Sequence, residues 1–258
     1  MINSFSIALI LFLNSFPTKS WKENINPAGK TVEERITLPS GFVRVPKEQN
    51  SFSQYLSHLP LKPHNSKVHY FDGTVKTREN VYCAVLNIPV GTKDLQQCAD
   101  AVMRLRGEYL FEKKRYDDLH FNFLSDGKPR YFKTFAKGKT DYKTFEKYME
   151  YIFVSANTGS LLKEMKPLPS VHSMQPGDVF IQKGNPYGHA EIVLDMAVNK
   201  TSAKKIYLLA QSYMPAQDIQ ILLNPINPEL SPWFELNEED IQTPEWTFRA
   251  SDLRRFKD

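Results

Sequence analysis

Between positions 41 and 258, apolar residues follow a three-and-four spacing in the first part and short alternating or continuous runs after residue 178. The first rhythm reads as helix and the second as sheet. Ser51 opens a short helix that ends before Pro60, and residues 68–71 with 74–76 read as a hairpin about Asp72-Gly73. Residues 82–88 read as a buried strand. A helix follows, with Thr92 as N-cap and Asp94 in its first turn; Leu95, Ala99, Val102, Leu105 and Tyr109 form its apolar stripe, on which Cys98 lies. A second hairpin joins 121–124 to 130–135, and 142–165 form one long helix or two shorter ones broken at Asn157-Thr158-Gly159-Ser160. Strands are expected at 179–182, 190–196, 205–212, 219–223 and 246–248. Helices first and an antiparallel run afterwards predict an α+β fold.

The chain has 258 residues, 41% of them hydrophobic, enough for one core, and 41–258 reads as a single domain. Ahead of it, the apolar run 5–13 is too short to span a bilayer and has the length of a signal-peptide core, so 1–20 are read as a signal peptide. No Lys or Arg precedes that run, and no small-x-small cleavage site is clean. The first cysteine is Cys83, far beyond the position bacterial lipid attachment requires. The expectation is export to the periplasm or the extracellular space, without a lipid anchor and without stable membrane insertion once the segment is removed. Residues 21–40 are polar and aperiodic and read as a flexible lead-in. Thirty-three basic residues against 29 acidic leave only +4, with no charge run longer than Lys113-Lys114-Arg115, which excludes a nucleic-acid footprint. His58, His64, His69, His120, His172 and His189 form no i, i+4 pair, so neither a metal site nor a cofactor is indicated.

Pro176-Gly177-Asp178 is a turn signal, in which Asp178 tightens the bend, and it leads through strand 179–182 and a turn-rich connection to His189 at the mouth of the next strand. Cys98, His189 and Gln211 occur in the order of a papain-like site. A thiolate attacks an amide at neutral pH far more readily than a hydroxyl does. It needs an imidazole within about 3 Å to carry the proton and a third group to hold that ring. Gln211 fits the third role, because a neutral amide orients a ring without charging it. Gln97, Glu191, Tyr213 and Gln217 are the candidate substrate contacts. Glu191 and Asp195 share the His189 face by period-two counting, and Arg104, Arg106 and Glu108 form an ion-paired helix edge. The residues leave three states open for Cys98: a reactive thiol, an inert packed one, or a disulfide with Cys83.

The blocks 94–106, Gly177-Asp178-Val179-Phe180-Ile181 with Gly188-His189-Ala190, and 210–217 together resemble a family of exported bacterial proteins known as domain of unknown function 4846. Ser231-Pro232-Trp233 and Thr243-Pro244-Glu245-Trp246 agree with it, and the resemblance spans 41–256. It implies export and no particular activity. More remotely, a Pro-Gly-Asp strand followed by a Gly-His strand is similar to the NlpC/P60 and CHAP amidases, which cleave peptide cross-links of peptidoglycan. That similarity implies a papain-like core, with the Cys98 helix packed on an antiparallel sheet bearing His189, and a hydrolase acting on a peptide or amide bond of the cell envelope. Those amidases carry the nucleophile in the first helical turn, whereas a helix opened by Thr92 sets Cys98 well inside, where the terminal dipole has faded. The competing expectation is a non-catalytic envelope protein that binds peptidoglycan or a glycan, with Cys98 structural.

Overall fold

Two long adjacent strands with alternating side chains divide the molecule into a helical side and a looped side. The computed structural model describes residues 20–184 and 187–257; the segment read as a signal peptide lies, up to residue 19, outside them. In chain order the elements are α1 (Val32–Arg35), β1 (Phe42–Arg44), α2 (Phe52–Ser57), β2 (Tyr82–Val85), α3 (Cys98–Glu112), β3 (His120–Asn122), β4 (Pro129–Tyr131), α4 (Phe132–Ala136), α5 (Tyr142–Phe153), α6 (Thr158–Glu164) and β5 (Met165–Pro167). There follow β6 (Val179–Gln182), β7 (His189–Asn199), β8 (Lys205–Gln211), β9 (Gln220–Leu222), β10 (Phe234–Glu235), β11 (Ile241–Gln242), β12 (Thr247–Phe248) and β13 (Leu253–Phe256). Nine strands form one antiparallel sheet in the order β2-β9-β8-β7-β6-β13-β5, with β1 added to β7 and β10 to β8. This is a mixed α+β fold built on a large antiparallel sheet.

Successive strand side chains point to opposite faces, and the two faces have separate cores. Ala190, Ile192 and Leu194 of β7 and Ile206, Leu208 and Ala210 of β8 join Val102 and Leu105 of α3 and Phe145 and Met149 of α5 in the principal core. Val193, Met196, Tyr207 and Leu209 turn the other way and are covered by Phe234, Ile241, Phe248 and Leu253. One bulge breaks the count: Val193 lies opposite Leu209 but Asp195 opposite Leu208, so an extra β7 residue intervenes. Asp195 therefore does not share the face of His189 and Glu191 as period-two counting has it. Its carboxylate pairs with Arg44 at 2.7 Å and Lys47 at 2.8 Å.

The helix expected from Thr92 begins six residues later, at Cys98, with Gln97 as an extended N-cap residue. Asp94 does not enter its own helix because its carboxylate accepts the backbone N–H of Ala216 at 2.7 Å and the Gln97 amide at 3.0 Å, tying residues 94–97 to the loop after β8. Asp100 serves the first turn instead, accepting the Gln97 N–H at 3.2 Å. A long-range bond thus sets the helix start, and spacing alone could not reveal it. The hairpin expected at 68–76 forms about Asp72-Gly73, with Tyr70 N–H donating to the Thr74 carbonyl at 2.8 Å and Lys76 N–H to the Val68 carbonyl at 2.9 Å, although it is too short to make more than a single bridge between His69 and Val75. After β4 the chain turns into α4 and buries Phe132 against Phe111 and Tyr148 rather than extending the strand.

Residues 21–40 are not a flexible lead-in. Ile25, Val32 and Ile36 are buried in the principal core, and Trp233, itself fully buried, donates its indole N–H to the Thr37 carbonyl at 2.9 Å. Pro27 and Gly29 interrupt any helix between Ile25 and Val32, yet Ile25, Val32 and Ile36 each reach the core. Gly29 is required here, because a Cβ on it would lie 2.4 Å from the Glu34 and Arg35 backbone. Among the described residues no helix is long and apolar enough to cross a membrane. Ile36→Ala is expected to lower the unfolding free energy by about 2–5 kcal/mol in a urea titration. A loss below about 0.5 kcal/mol would place this segment off the core.

Candidate active site

Cys98 is the first residue of α3, so it stands where the backbone N–H groups of Cys98 and Ala99 have no intrahelical carbonyl to meet and the helix presents the positive end of its dipole. It does not lie deep in the helix as the earlier start would have it. Its side chain is buried, with Sγ 4.0 Å from the Gly188 carbonyl. The next residue, His189, opens β7 opposite Gln182 of β6. Its ring is buried among Tyr213, Trp246 and Phe248, with centroid separations of 4.9, 5.1 and 5.9 Å.

The β7–β8 register places Ile192 opposite Ala210, and hence Glu191 across from Gln211. His189 Nε2 lies 2.6 Å from Gln211 Oε1 and 3.4 Å from Glu191 Oε1, and Cys98 lies near enough to the same ring to raise its pKa. With Nε2 committed to Gln211, Nδ1 is the nitrogen left for sulfur. The Gln211 amide is oriented from behind, since its Nε2 donates to Glu245 Oε2 at 2.7 Å and a carboxylate can only accept. Gln211 must then offer oxygen to the ring, so His189 Nε2 carries hydrogen. Lys76 holds Glu245 at 2.6 Å, both side chains being buried, and burial lowers the Lys76 pKa against the pull of Glu245.

Burial disfavours a charged His189 ring, but hydrogen bonds to Cys98 and Glu191 and their charges outweigh it and raise its pKa to about 10. Glu191 is fully buried, and that burial raises its own pKa against the opposing bonds from His189 and Thr243. One Glu191 oxygen accepts the Thr243 hydroxyl at 2.8 Å, while Oε2 has no hydrogen-bond partner among the described residues. Such an arrangement can pass a proton between sulfur and imidazole and keep the ring charged near neutral pH.

A family model described as Domain of unknown function (4846) matches residues 32–141 and 126–255. The chain belongs to this family. No curated protein and no solved structure matches it.

In this family member a cleft of about 350 Å³ opens beside the thiol, lined by Gln97, Cys98, Asp100, Asn157, Tyr187 and Met214 among others. Of the four expected substrate contacts, Gln97 lines the cleft and Tyr213 lies half-buried against His189 with its ring tilted at 60°. Glu191 and Gln217 do not line the cleft. Both are buried, and Gln217 spends its oxygen on Lys76 and Gln220 and its amide nitrogen on the Pro215 carbonyl. The disulfide alternative falls away: Cys83 and Cys98 are both free, and β2, which carries Cys83, is separated from β7 by β9 and β8. Burial pushes the Cys83 thiol up to about 12. Asp178 does tighten its turn, accepting Gln175 N–H, and it also takes both sides of the Arg255 fork at 2.6 and 2.7 Å. Sequence reading missed Lys76, Thr243 and Glu245 as parts of the site. Thr243-Pro244-Glu245-Trp246 stood out as a block, but no spacing links it to a ring 54 or more residues earlier.

A pKa raised from 6.5 to about 10 stabilises the fold fully below about pH 6.5 and ceases to do so as pH rises through about 10. An NMR titration of the His189 ring is expected to give a midpoint well above 6.5, and the stability advantage of wild type over His189→Gln to shrink between pH 6 and pH 10. A midpoint near 6.5 would mean that Cys98 and Glu191 do not hold the ring charged.

Proposed function

We propose that this protein is a papain-like cysteine hydrolase, an amidase or peptidase, acting on a peptide or amide bond of the cell envelope. The observation that carries the reading is the Cys98 thiol at the N-terminus of α3, near enough to the His189 ring to raise its pKa, with Nε2 of that ring held by Gln211. In the reaction this supports, sulfur gives its proton to His189 Nδ1 and attacks the carbonyl carbon, and the C=O pair moves onto oxygen. The Cys98 and Ala99 N–H groups are the nearest free donors for that oxyanion. On collapse the C–N bond breaks, His189 protonates the leaving nitrogen, and a thioester remains. Water then gives a proton to His189 and its oxygen to the acyl carbon, and sulfur departs and recovers the proton.

The similarity to NlpC/P60 and CHAP amidases, read from the turn before β6 and the Gly188-His189 pair, points to peptidoglycan peptides as substrate class, and the apolar run 5–13 to action outside the cytoplasm. One observation favours a second reading, a non-catalytic protein that binds peptidoglycan or a glycan in the same cleft: Cys98 is only 6% exposed. Two experiments separate them. Alkylation of Cys98 by iodoacetamide across pH 5 to 9 is expected to be fast below the ordinary thiol pKa of about 8.5 and to collapse in His189→Ala. Release of peptides from purified peptidoglycan is expected for wild type and to be abolished in Cys98→Ser and His189→Ala. Tight binding of peptidoglycan with no turnover, and a thiol labelled only on denaturation, would leave the binding protein.

A further inference from the structure

Three residues of one loop between β11 and β12 reach the site. Thr243 donates its hydroxyl to Glu191 at 2.8 Å, Glu245 accepts the Gln211 amide at 2.7 Å, and Trp246 lies 5.1 Å from the His189 ring while its indole N–H bonds Gln182 at 3.0 Å. Gln182 is the residue paired with His189 across β6 and β7. Gln211 and Glu191, which meet the ring from the looped side, and Gln182, its cross-strand partner, are therefore all held by this one turn.

We infer that the 243–246 loop is the positioning element of the site, and that Glu245, anchored by Lys76, fixes the Gln211 amide with its oxygen toward His189 Nε2. The inference rests on the reading of Cys98 and His189 as a working pair. An amide is nearly symmetric in shape, so packing alone does not choose which end faces the ring. Reversed, Gln211 would set its NH₂ against Nε2–H, donor against donor. The ring would escape by moving its hydrogen to Nδ1, and the thiol would then face an N–H instead of a lone pair. Glu245 forbids the reversal, since a carboxylate meeting the Gln211 oxygen at 2.7 Å would be acceptor against acceptor.

Lys76 explains how the carboxylate stays there. It donates to Glu245 at 2.6 Å and to Gln217 at 3.0 Å, and Gln217 accepts Gln220 at 3.0 Å as well, so a chain of four residues runs from β9 to the back of Gln211. A buried ion pair of this kind adds little net stability over apolar residues of similar size, although removing one partner alone is costly. The pair is better explained by what it orients than by what it stabilises, and removing both charges together leaves a protein that can fold. The titratable groups facing the ring are Cys98 from α3, Glu191 from β7, Tyr213 after β8 and, through Gln211, Glu245 with Lys76 and Arg78 behind it.

The test uses Lys76→Met/Glu245→Met, with and without Gln211→Glu, each checked for fold by circular dichroism and thermal unfolding. Iodoacetamide labelling of Cys98 at pH 7 is expected to slow about tenfold in the double variant, the scale of one hydrogen bond, and the His189 titration midpoint to fall by about one pH unit. Adding Gln211→Glu supplies an acceptor that has no wrong way round, and both quantities are expected to return close to wild type. A merely structural role for Glu245 would not be rescued at a neighbouring residue. Labelling and titration unchanged in the double variant, or unrestored in the triple, would overturn the inference. Wild-type labelling that does not depend on His189 would instead overturn the working pair, and the midpoint shift would still decide whether Glu245 positions the ring.

Discussion

The antiparallel register of β7 and β8 puts Glu191 opposite Gln211 on the looped face of the sheet and leaves His189 as the first residue of its strand. From that position one ring nitrogen reaches back across the pair to Gln211, and the other is free for whatever approaches the end of the sheet. What approaches is the first turn of α3. A one-residue slip would turn Glu191 and Gln211 into the helical core and carry Ile192 and Ala210 out of it. The register is secured by exactly those apolar residues, so the chemistry on one face is held in place by packing on the other.

Burial then sets the electrostatics. His189, Glu191, Lys76 and Glu245 sit where water is scarce, so each charge there needs a partner. Lys76 and Glu245 have each other, and His189 has Cys98 and Glu191. Among the described residues nothing hydrogen-bonds one oxygen of Glu191, the carboxyl that helps raise the pKa of the ring. The cost of that unsatisfied acceptor falls on the fold, and the benefit is a ring that stays charged close to a sulfur. Where the ring's neighbours are uncharged they are aromatic: Tyr213, Trp246 and Phe248 fill the space around it and exclude competing hydrogen-bond partners.

Much of the sheet was legible in the sequence, because β6, β7 and β8 are short apolar runs between strong turn signals and period two is imposed by a core on each face. Cys98, His189 and Gln211 were legible as an ordered set, and the structure brings the three together. The start of α3 was not legible. Asp94 has the chemistry of a first-turn residue, and only its bond to Ala216, 122 residues later, diverts it. Residues 21–40 differ from the expected lead-in for a related reason, since Pro27 and Gly29 break the helix that the spacing of Ile25, Val32 and Ile36 would imply, and these three are recognisable as core only once Trp233 and its neighbours close over them. Asp195 was misassigned because a single bulge reverses parity beyond Val193. In each case a contact distant in sequence overrides a local pattern, and the same holds for Glu245 and Lys76, whose link to Gln211 has no local trace.

The approach of α3 to β7 sets a last constraint on the chain entering His189. A Cβ on Gly188 would lie 2.2 Å from the Gln182 carbonyl and 2.8 Å from Thr158 Oγ1, so only glycine lets the backbone pass between β6 and the start of α6. The Gly188 carbonyl meets the Cys98 sulfur at 4.0 Å at that point of passage. Backbone rather than a side chain thus borders the thiol on the β7 side, next to the cleft lined by Gln97, Tyr187 and Met214. A substrate carbonyl entering that cleft would meet sulfur beside the free N–H groups of the first turn of α3, while the His189 ring stays buried outside the cleft lining. The proposed hydrolysis depends on that approach, and Gly188 permits it by letting the backbone pass close to the sulfur.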